Sequence, residues 1–273
     1  VAIFAVDLIN LLYISMLGEQ AIAAAIGFAG VVGFFHLSIY IGVMIGMVAT
    51  LSRRIGARQM DEARALASSA MAWVVVLSLL LSGLNLLFLD PVLRLLGAEG
   101  RVLELAHGFL VITLPSTVLL GVGMACTALL RSVGDARRSM LVTLLPAVVT
   151  AVLDPLFIFG LDLGLTGAAL VLLIARCVLV GVGLYGAVRV HKLLAPVQRS
   201  RLLADARTLA AVTGPAVLTN LATPVGTAFV THSIAGLGAS AVAGQATIER
   251  LTPVAFGVIY SLSGAVGPVL GQN

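Results

Sequence analysis

Charged side chains are scarce in this chain of 273 residues: Asp, Glu, Lys and Arg together make up 10%, against roughly 25% in a soluble domain. Hydrophobic residues reach 60%, and the mean hydropathy is +1.14. Uncharged runs such as 21–52, 65–89 and 105–130 exceed the roughly 20 residues that span a bilayer core, and they lack strand-like alternation. The composition excludes a soluble domain and predicts an all-α polytopic membrane protein.

The residues that carry chemistry in enzymes are also few. Cys126 and Cys177 both fall inside apolar runs, which suits buried thiols rather than a disulfide or a metal pair. The histidines are scattered singly, and those in apolar runs are expected to be satisfied polar side chains. There is no Gly-rich phosphate loop, paired-His motif or Ser-His-Asp set. We expect no enzyme activity and no cofactor.

The charges that are present lie mostly in short loops between apolar runs. Eight transmembrane helices are predicted, at about 1–16, 22–51, 65–88, 103–130, 139–160, 165–188, 208–233 and 241–270. Alternate loops, at 52–64, 131–138 and 189–207, hold twelve Lys or Arg, whereas the intervening loops hold two. By the positive-inside rule the basic loops and the N-terminus are cytoplasmic. We expect a multi-pass protein of a bacterial inner membrane, in contact with lipids and not with nucleic acid.

A basic segment, 191–207, is the best internal boundary. Its leucines among arginines suit a short helix lying on the anionic membrane surface. The sequence LGEQAIA at 17–23 faintly resembles LGASAVA at 237–243, as expected for a repeat. We predict a six-helix lobe at 1–190, a cytoplasmic linker at 191–207, and the first two helices of a second lobe at 208–273. Both ends of the chain stand inside or directly after apolar runs, so we expect a truncated monomer whose remaining C-terminal helices, about four of an expected twelve, follow.

Five charged residues lie well inside the predicted spans, away from their ends. Asp154 stands among apolar residues and is followed by Pro155, where an ionised group costs at least about 2.5–3.5 kcal/mol and a proline weakens the helix. Asp7 lies mid-span, with Asn10 one turn away. Both carboxylates are candidates to exchange a proton, because burial disfavours the charged form. Alternatively, they bind Na⁺ with help from the hydroxyls of Thr150 and Thr127.

The other charged residues within spans are Arg176, Glu249 and Arg250, which are candidates to line a substrate cavity. Glu249 and Arg250 are adjacent on one helix and point apart, so they are not natural partners. Among the small residues, Gly42 and Gly46 are spaced for close helix contact.

Several of these motifs occur together in a known family. Residues 128–176 contain an Arg-x-x-Gly-Asp loop ending at Asp135, the Asp154-Pro155 pair, and a Gly-x-x-Gly-Ala-Ala sequence that begins at Gly164. This combination closely resembles the MATE family of multidrug and toxic compound extrusion transporters. Residues 6–28 resemble the family's first helix and loop, and residues 235–251 and 264–273 resemble the start of its second half.

The resemblance implies two six-helix bundles that export organic cations, drugs or other amphipathic compounds in exchange for H⁺ or Na⁺ by alternating access. Asp7 and Asp154 match the acidic residues of the family's cation site in helices one and five. Thr150 and Thr127 stand where many relatives have asparagine, and the seventh helix lacks the acidic residue of some branches. Two alternatives remain: a lipid-linked oligosaccharide flippase of the same superfamily, and a non-transporting structural subunit.

Overall fold

The computed structural model describes residues 20–256, and every regular element in that range is a helix. The helices are α1 (Gln20–Gly56), α2 (Met60–Leu87), α3 (Leu89–Leu95), α4 (Gly100–Thr113), α5 (Thr117–Ser132), α6 (Ala136–Pro155), α7 (Gly164–Leu184), α8 (Leu202–Ala235) and α9 (Ala239–Ala255). Wider π-helical turns, at Leu156–Gly160 and Tyr185–Val190, extend α6 and α7.

Most of these helices are membrane spans by length and composition. Five are long and apolar enough to cross a bilayer, namely α1, α2, α6, α7 and α8, and α4 with α5 makes a sixth span that is bent by 51°. They correspond to the six predicted spans from 22–51 to 208–233, so the helical membrane bundle is confirmed. The predicted span 1–16 lies outside the described residues, and 241–270 is described only as far as Phe256.

One span differs from the prediction of an uninterrupted helix over 103–130. The chain breaks between α4 and α5 because Pro115 has no N–H to donate and its ring obstructs the preceding turn. The carbonyl of Leu114, at this break, accepts from the backbone N–H of Thr117 at 2.9 Å and also from Ser82 Oγ at 2.9 Å and Thr117 Oγ1 at 2.6 Å. Side-chain hydroxyls thus add to the backbone hydrogen bonding at a break inside a membrane span.

The linker also differs from its prediction as a surface helix. Residues 192–198 have no helical structure, and α8 begins only at Leu202. Pro196 disfavours a helical conformation in the residue before it. Leu193 is 4% exposed and packs in the core with Leu66 and Met47, and the backbone N–H of Ala195 donates to Ser68 Oγ at 2.8 Å. The linker's buried apolar side chain therefore packs against protein rather than lipid.

The three basic loops meet at one end of the bundle, which we call the basic end. His191 Nε2 lies 2.7 Å from Asp135 Oδ2, which joins the linker to the loop before α6. Ser69 Oγ donates to Asp205 Oδ2 at 2.6 Å, which joins α2 to α8. The meeting of these loops is the arrangement expected if all three lie on the same side of a membrane.

Two apolar cores fill the bundle and are separated by a polar layer. One core lies toward the basic end and includes Met47, Leu66 and Leu129, and the other lies toward the opposite end and includes Val32, Leu93 and Leu110. The side chains between them along the helices are polar. We call this set the polar layer: His36, Tyr40, Ser78, Ser82, Thr113, Ser116, Thr117 and Arg176.

The helix α8 packs along α1, and two glycines allow the close approach. A Cβ built on Gly42 would lie 2.6 Å from the Cα of Val217, and one built on Gly46 would lie 2.8 Å from the Cα of Thr213. Both helices therefore touch through their backbones, as expected from this small-residue spacing. At the far end of α8, His232 Nδ1 lies 3.0 Å from the carbonyl of Leu95.

Candidate functional site

Asp154 lies near the end of α6, directly before Pro155 and the π-helical turn. Its side chain is buried, with 1% of the residue exposed. Neither carboxylate oxygen has a hydrogen-bond partner among the described residues. Because a buried ionised carboxylate is costly unless it is paired, these two oxygens form a place where a proton or a small cation would be stabilised.

Thr150 shares a helix face with Asp154, because residues four apart lie one above the other. Its Oγ1 donates to the carbonyl of Pro146 at 3.0 Å, so its lone pairs stay available as acceptors. Pro146 has no N–H for the helix ladder, and α6 continues through it. The structure thus places Thr150 and Asp154 together on one side of α6.

Thr127 is not brought to Asp154. It lies five residues before the end of α5 at the basic end, whereas Asp154 lies eighteen residues beyond the start of α6. At 1.5 Å per residue the two differ in depth by about 20 Å. Thr127 is buried, and its hydroxyl donates to the carbonyl of Gly123 at 2.9 Å.

The remaining site candidates fall in three places. Asp7 and Asn10 lie outside the described residues, and the side chain of Arg250 does as well. Glu249 is partly buried on α9, where its Oε1 accepts a hydrogen bond from Gln245 Nε2 at 3.2 Å. Arg176 lies in the polar layer, remote in sequence from the groups that it contacts.

Arg176 extends from α7 to the break between α4 and α5. Its Nη1 donates to the carbonyl of Thr113 at 2.7 Å and to Ser116 Oγ at 2.5 Å. The guanidinium therefore lies at the C-terminal end of α4, where the helix dipole favours a positive charge. Sequence reasoning named Arg176 but missed the group around it, although hydroxyl residues on both sides of a proline within a span were a usable signal.

His36 departs from the expectation of a fully satisfied side chain. Its Nδ1 lies 3.1 Å from the carbonyl of Val32, while its buried Nε2 makes no hydrogen bond of standard geometry to a described residue, although the backbone of Leu81 lies close to the ring. No three His, Cys, Asp or Glu side chains cluster within residues 20–256. A cation at Asp154 would therefore complete its ligands with hydroxyl or carbonyl oxygens, or with residues outside that range.

Asp135 caps α6 at the basic end. Its Oδ1 accepts from the backbone N–H of Arg138 at 3.0 Å, and its Oδ2 lies 2.6 Å from Arg138 Nη1 and 2.7 Å from His191 Nε2. Burial alone would raise the pKa of the Asp135 carboxyl, but the hydrogen bonds from Arg138 and His191 outweigh it and hold that pKa well below its usual range.

Replacing Asp135 by Ala should lower the free energy of unfolding of the full-length protein by about 1–2 kcal/mol at pH 7. A lowered pKa means that the ionised carboxylate stabilises the fold at neutral pH and that this contribution is lost as the pH falls below about 4. Thermal unfolding should be measured between pH 8 and pH 3. The unfolding temperature of Asp135→Ala should lie below that of wild type by a constant amount at neutral pH, and this gap should narrow at the acidic end. The exposed Asp162→Asn variant, which removes a carboxylate at a left-handed position that Asn tolerates, should show no such difference, and equal behaviour of the two variants would contradict the capping role.

A bundle of membrane-spanning helices with a broken span, a guanidinium at mid-depth and a buried carboxylate that no described residue pairs has the construction of a transport protein. A profile of the MatE family matches residues 1–156. The chain therefore belongs to the MatE family, whose members are transporters rather than enzymes.

Individual relatives agree with this assignment. The chain is 33% identical over 273 residues to a protein named FAD transporter from Shewanella oneidensis, a match that covers 98% of this chain and 60% of the relative. Its fold resembles the bent form of the Vibrio cholerae MATE transporter VcmN, with a TM-score of 0.83, 25% identity and coverage of 99% and 62% of the two chains. It also resembles an inward-facing multidrug-resistance MATE transporter, with a TM-score of 0.82, 25% identity and coverage of 100% and 60%. The chain thus spans about three fifths of the length of these proteins.

Proposed function

We propose that the protein exports amphipathic organic compounds across the membrane in exchange for H⁺ or Na⁺. The observation that carries this proposal is the carboxylate of Asp154, which is buried in a membrane span with neither oxygen hydrogen-bonded to a described residue. A group of this kind changes its interactions when a cation arrives, so cation binding can favour one conformation over another.

The coupling step follows from the position of Asp154 beside Pro155. A proton or Na⁺ that neutralises the carboxylate removes the cost of burying its charge. The end of α6, which already departs from regular helix at the following π-helical turn, can then repack against α7. We propose that Asp7 completes this site and that Thr150 and Asn10 contribute oxygens to it.

The contact of α1 with α8 supports transport by alternating access. In the proposed organisation α1 belongs to a six-helix lobe at 1–190, and α8 opens a second lobe after the linker. Their close packing along Gly42 and Gly46 is then a contact between lobes that rocking would remodel. The basic end would face the cytoplasm of a bacterial cell, with the N-terminus on the same side.

For the exported compound, the proposal names a chemical class rather than a single molecule. The family includes exporters of multidrug type, and the relative named FAD transporter makes a flavin nucleotide a first candidate for this chain. Arg176 and Glu249 give the described part of the chain charged groups of both signs inside or beside the spans.

The test is efflux by the full-length protein in proteoliposomes, with a pH gradient or a Na⁺ gradient imposed alone. Ethidium serves as a cationic substrate and FAD as an anionic one. One of the two gradients should drive efflux of at least one compound above the rate without a gradient. Failure of both gradients to drive either compound would contradict cation-coupled export.

A further inference from the structure

The polar layer contains a positive charge and several buried polar groups whose contacts fall short of standard hydrogen-bond geometry. Tyr40 and His36 are each 1% exposed, and the Tyr40 hydroxyl, His36 Nε2 and Ser78 Oγ have no hydrogen-bond partner that meets standard geometry among the described residues. Ser78 and Thr117 face the Tyr40 hydroxyl, and Ser78 and the Tyr40 ring both lie over Gly121, which leaves room for them. Buried polar groups that are incompletely hydrogen-bonded are rare and call for an explanation.

The charge of Arg176 is also uncompensated in the described part of the chain. No Asp or Glu there lies within ion-pair distance of it, although Arg54, Arg64, Arg101 and Arg138 each have such a partner. The guanidinium of Arg176 is partly buried within a membrane span, where a charge without an anion is costly. The layer therefore has the charge of a site that takes an oxyanion.

The hydrogen bonds of Arg176 leave the bidentate side of its guanidinium available. Both bonds to described residues are made by Nη1, so Nε and Nη2 remain for two oxygens of one ligand. Bidentate recognition of a phosphate is the geometry that a guanidinium suits best. Capping the end of α4 needs only Nη1, so the capping role does not account for the other donors.

An apolar cavity adjoins the polar layer and could bind an apolar part of the same ligand. It has a volume of about 320 Å³ and is lined mainly by apolar side chains of α1, α2 and α3, with His36 and Asn85 among them. His36 belongs to both the cavity and the polar layer. A ligand with an apolar ring system in the cavity and an anionic group at Arg176 fits both surfaces.

We propose that Arg176 recognises a phosphate group of the exported compound, which makes amphipathic organic phosphates the preferred substrate class. This inference rests on the exporter function proposed above and adds its substrate chemistry. The alternative ion-pair partner of the Arg176 guanidinium is a carboxylate from residues 1–19, such as Asp7. The experiment below distinguishes this carboxylate from a ligand phosphate.

The test compares riboflavin with riboflavin 5′-phosphate, which differ only by the phosphate, in their binding to the purified full-length protein by fluorescence anisotropy. Wild-type protein should prefer the phosphorylated compound. Arg176→Gln should weaken binding of that compound by about 10- to 100-fold, the value of charge-assisted hydrogen bonds, and should leave riboflavin within about twofold. Arg101→Gln, which removes an exposed arginine, is the matched control and should change neither affinity.

Two further measurements keep the outcome decisive. Arg176→Lys preserves the charge and one donor to the Thr113 carbonyl, so it should fold and show an intermediate loss for the phosphorylated compound. Gradient-driven ethidium efflux reports the exporter function separately from flavin binding. Equal binding of both flavins by wild-type protein, or an equal loss of both in the Arg176 variants, would overturn the phosphate assignment and favour an internal carboxylate partner. Failure of both gradients to drive efflux of either ethidium or FAD by wild-type protein would overturn the exporter instead.

Discussion

Replacing Asp154 by Asn should abolish efflux driven by an ion gradient while the protein remains folded in the membrane. Asn has nearly the same shape but cannot take up a proton or hold a cation by charge. Because the carboxylate makes no hydrogen bond to a described residue, the amide breaks no described contact. The efflux rate should fall on the order of 100-fold, since the ion then loses its differential affinity for the two conformations.

The matched control is Asp162→Asn, the same change in the exposed loop between α6 and α7. Asp162 has a φ of 53°, a left-handed conformation that Asn tolerates well. Its efflux should stay within about twofold of wild type. Quantitative labelling of both variants in the membrane verifies equal amounts of protein. Normal efflux by Asp154→Asn would remove Asp154 from the coupling site and leave the family assignment intact.

The spans and the Asp154 carboxylate were predictable because each depends on a local property of the sequence. An uncharged run of 25 or more residues has few alternatives to crossing a membrane. A single carboxylate inside such a run is conspicuous, and Asp154 is indeed buried. The glycine pair at 42 and 46 could likewise be interpreted from its spacing, and both residues do contact a neighbouring helix.

The polar layer was not predictable, because its members come from five helices and are joined only by folding. Tyr40 and Arg176 are separated by 136 residues, and each by itself resembles an isolated polar residue in an apolar run. The prediction of a surface helix for the linker was wrong for a related reason. Its leucines are equally suited to lipid and to protein, and only the packed structure shows that Leu193 enters the core.

At the contact between α1 and α8, adding a single methyl group should also have a large effect on stability. At Gly42 the Cβ of alanine would meet the backbone of Val217, with 2.6 Å to its Cα and 2.7 Å to its N. Backbone atoms of a neighbouring helix cannot rotate away, so the two helices must separate. Gly42→Ala should therefore lower the free energy of unfolding by about 1–3 kcal/mol, the usual cost of overpacking, and should also slow efflux if the lobes move at this contact.

Gly33 provides the control on the same helix, because a Cβ built there meets nothing within 4 Å. Gly33→Ala should be neutral or stabilising by up to about 1 kcal/mol, since alanine favours a helix interior over glycine. Thermal unfolding of the full-length protein can be followed by a thiol-reactive dye at the buried Cys126, with the exposed Cys177 replaced by Ser. Shifts of the same sign and size in the two glycine variants would mean that propensity within α1, rather than its contact with α8, decides the outcome. Opposite signs would locate the effect at the contact, because the two substitutions are chemically identical and differ only in what the added methyl group touches.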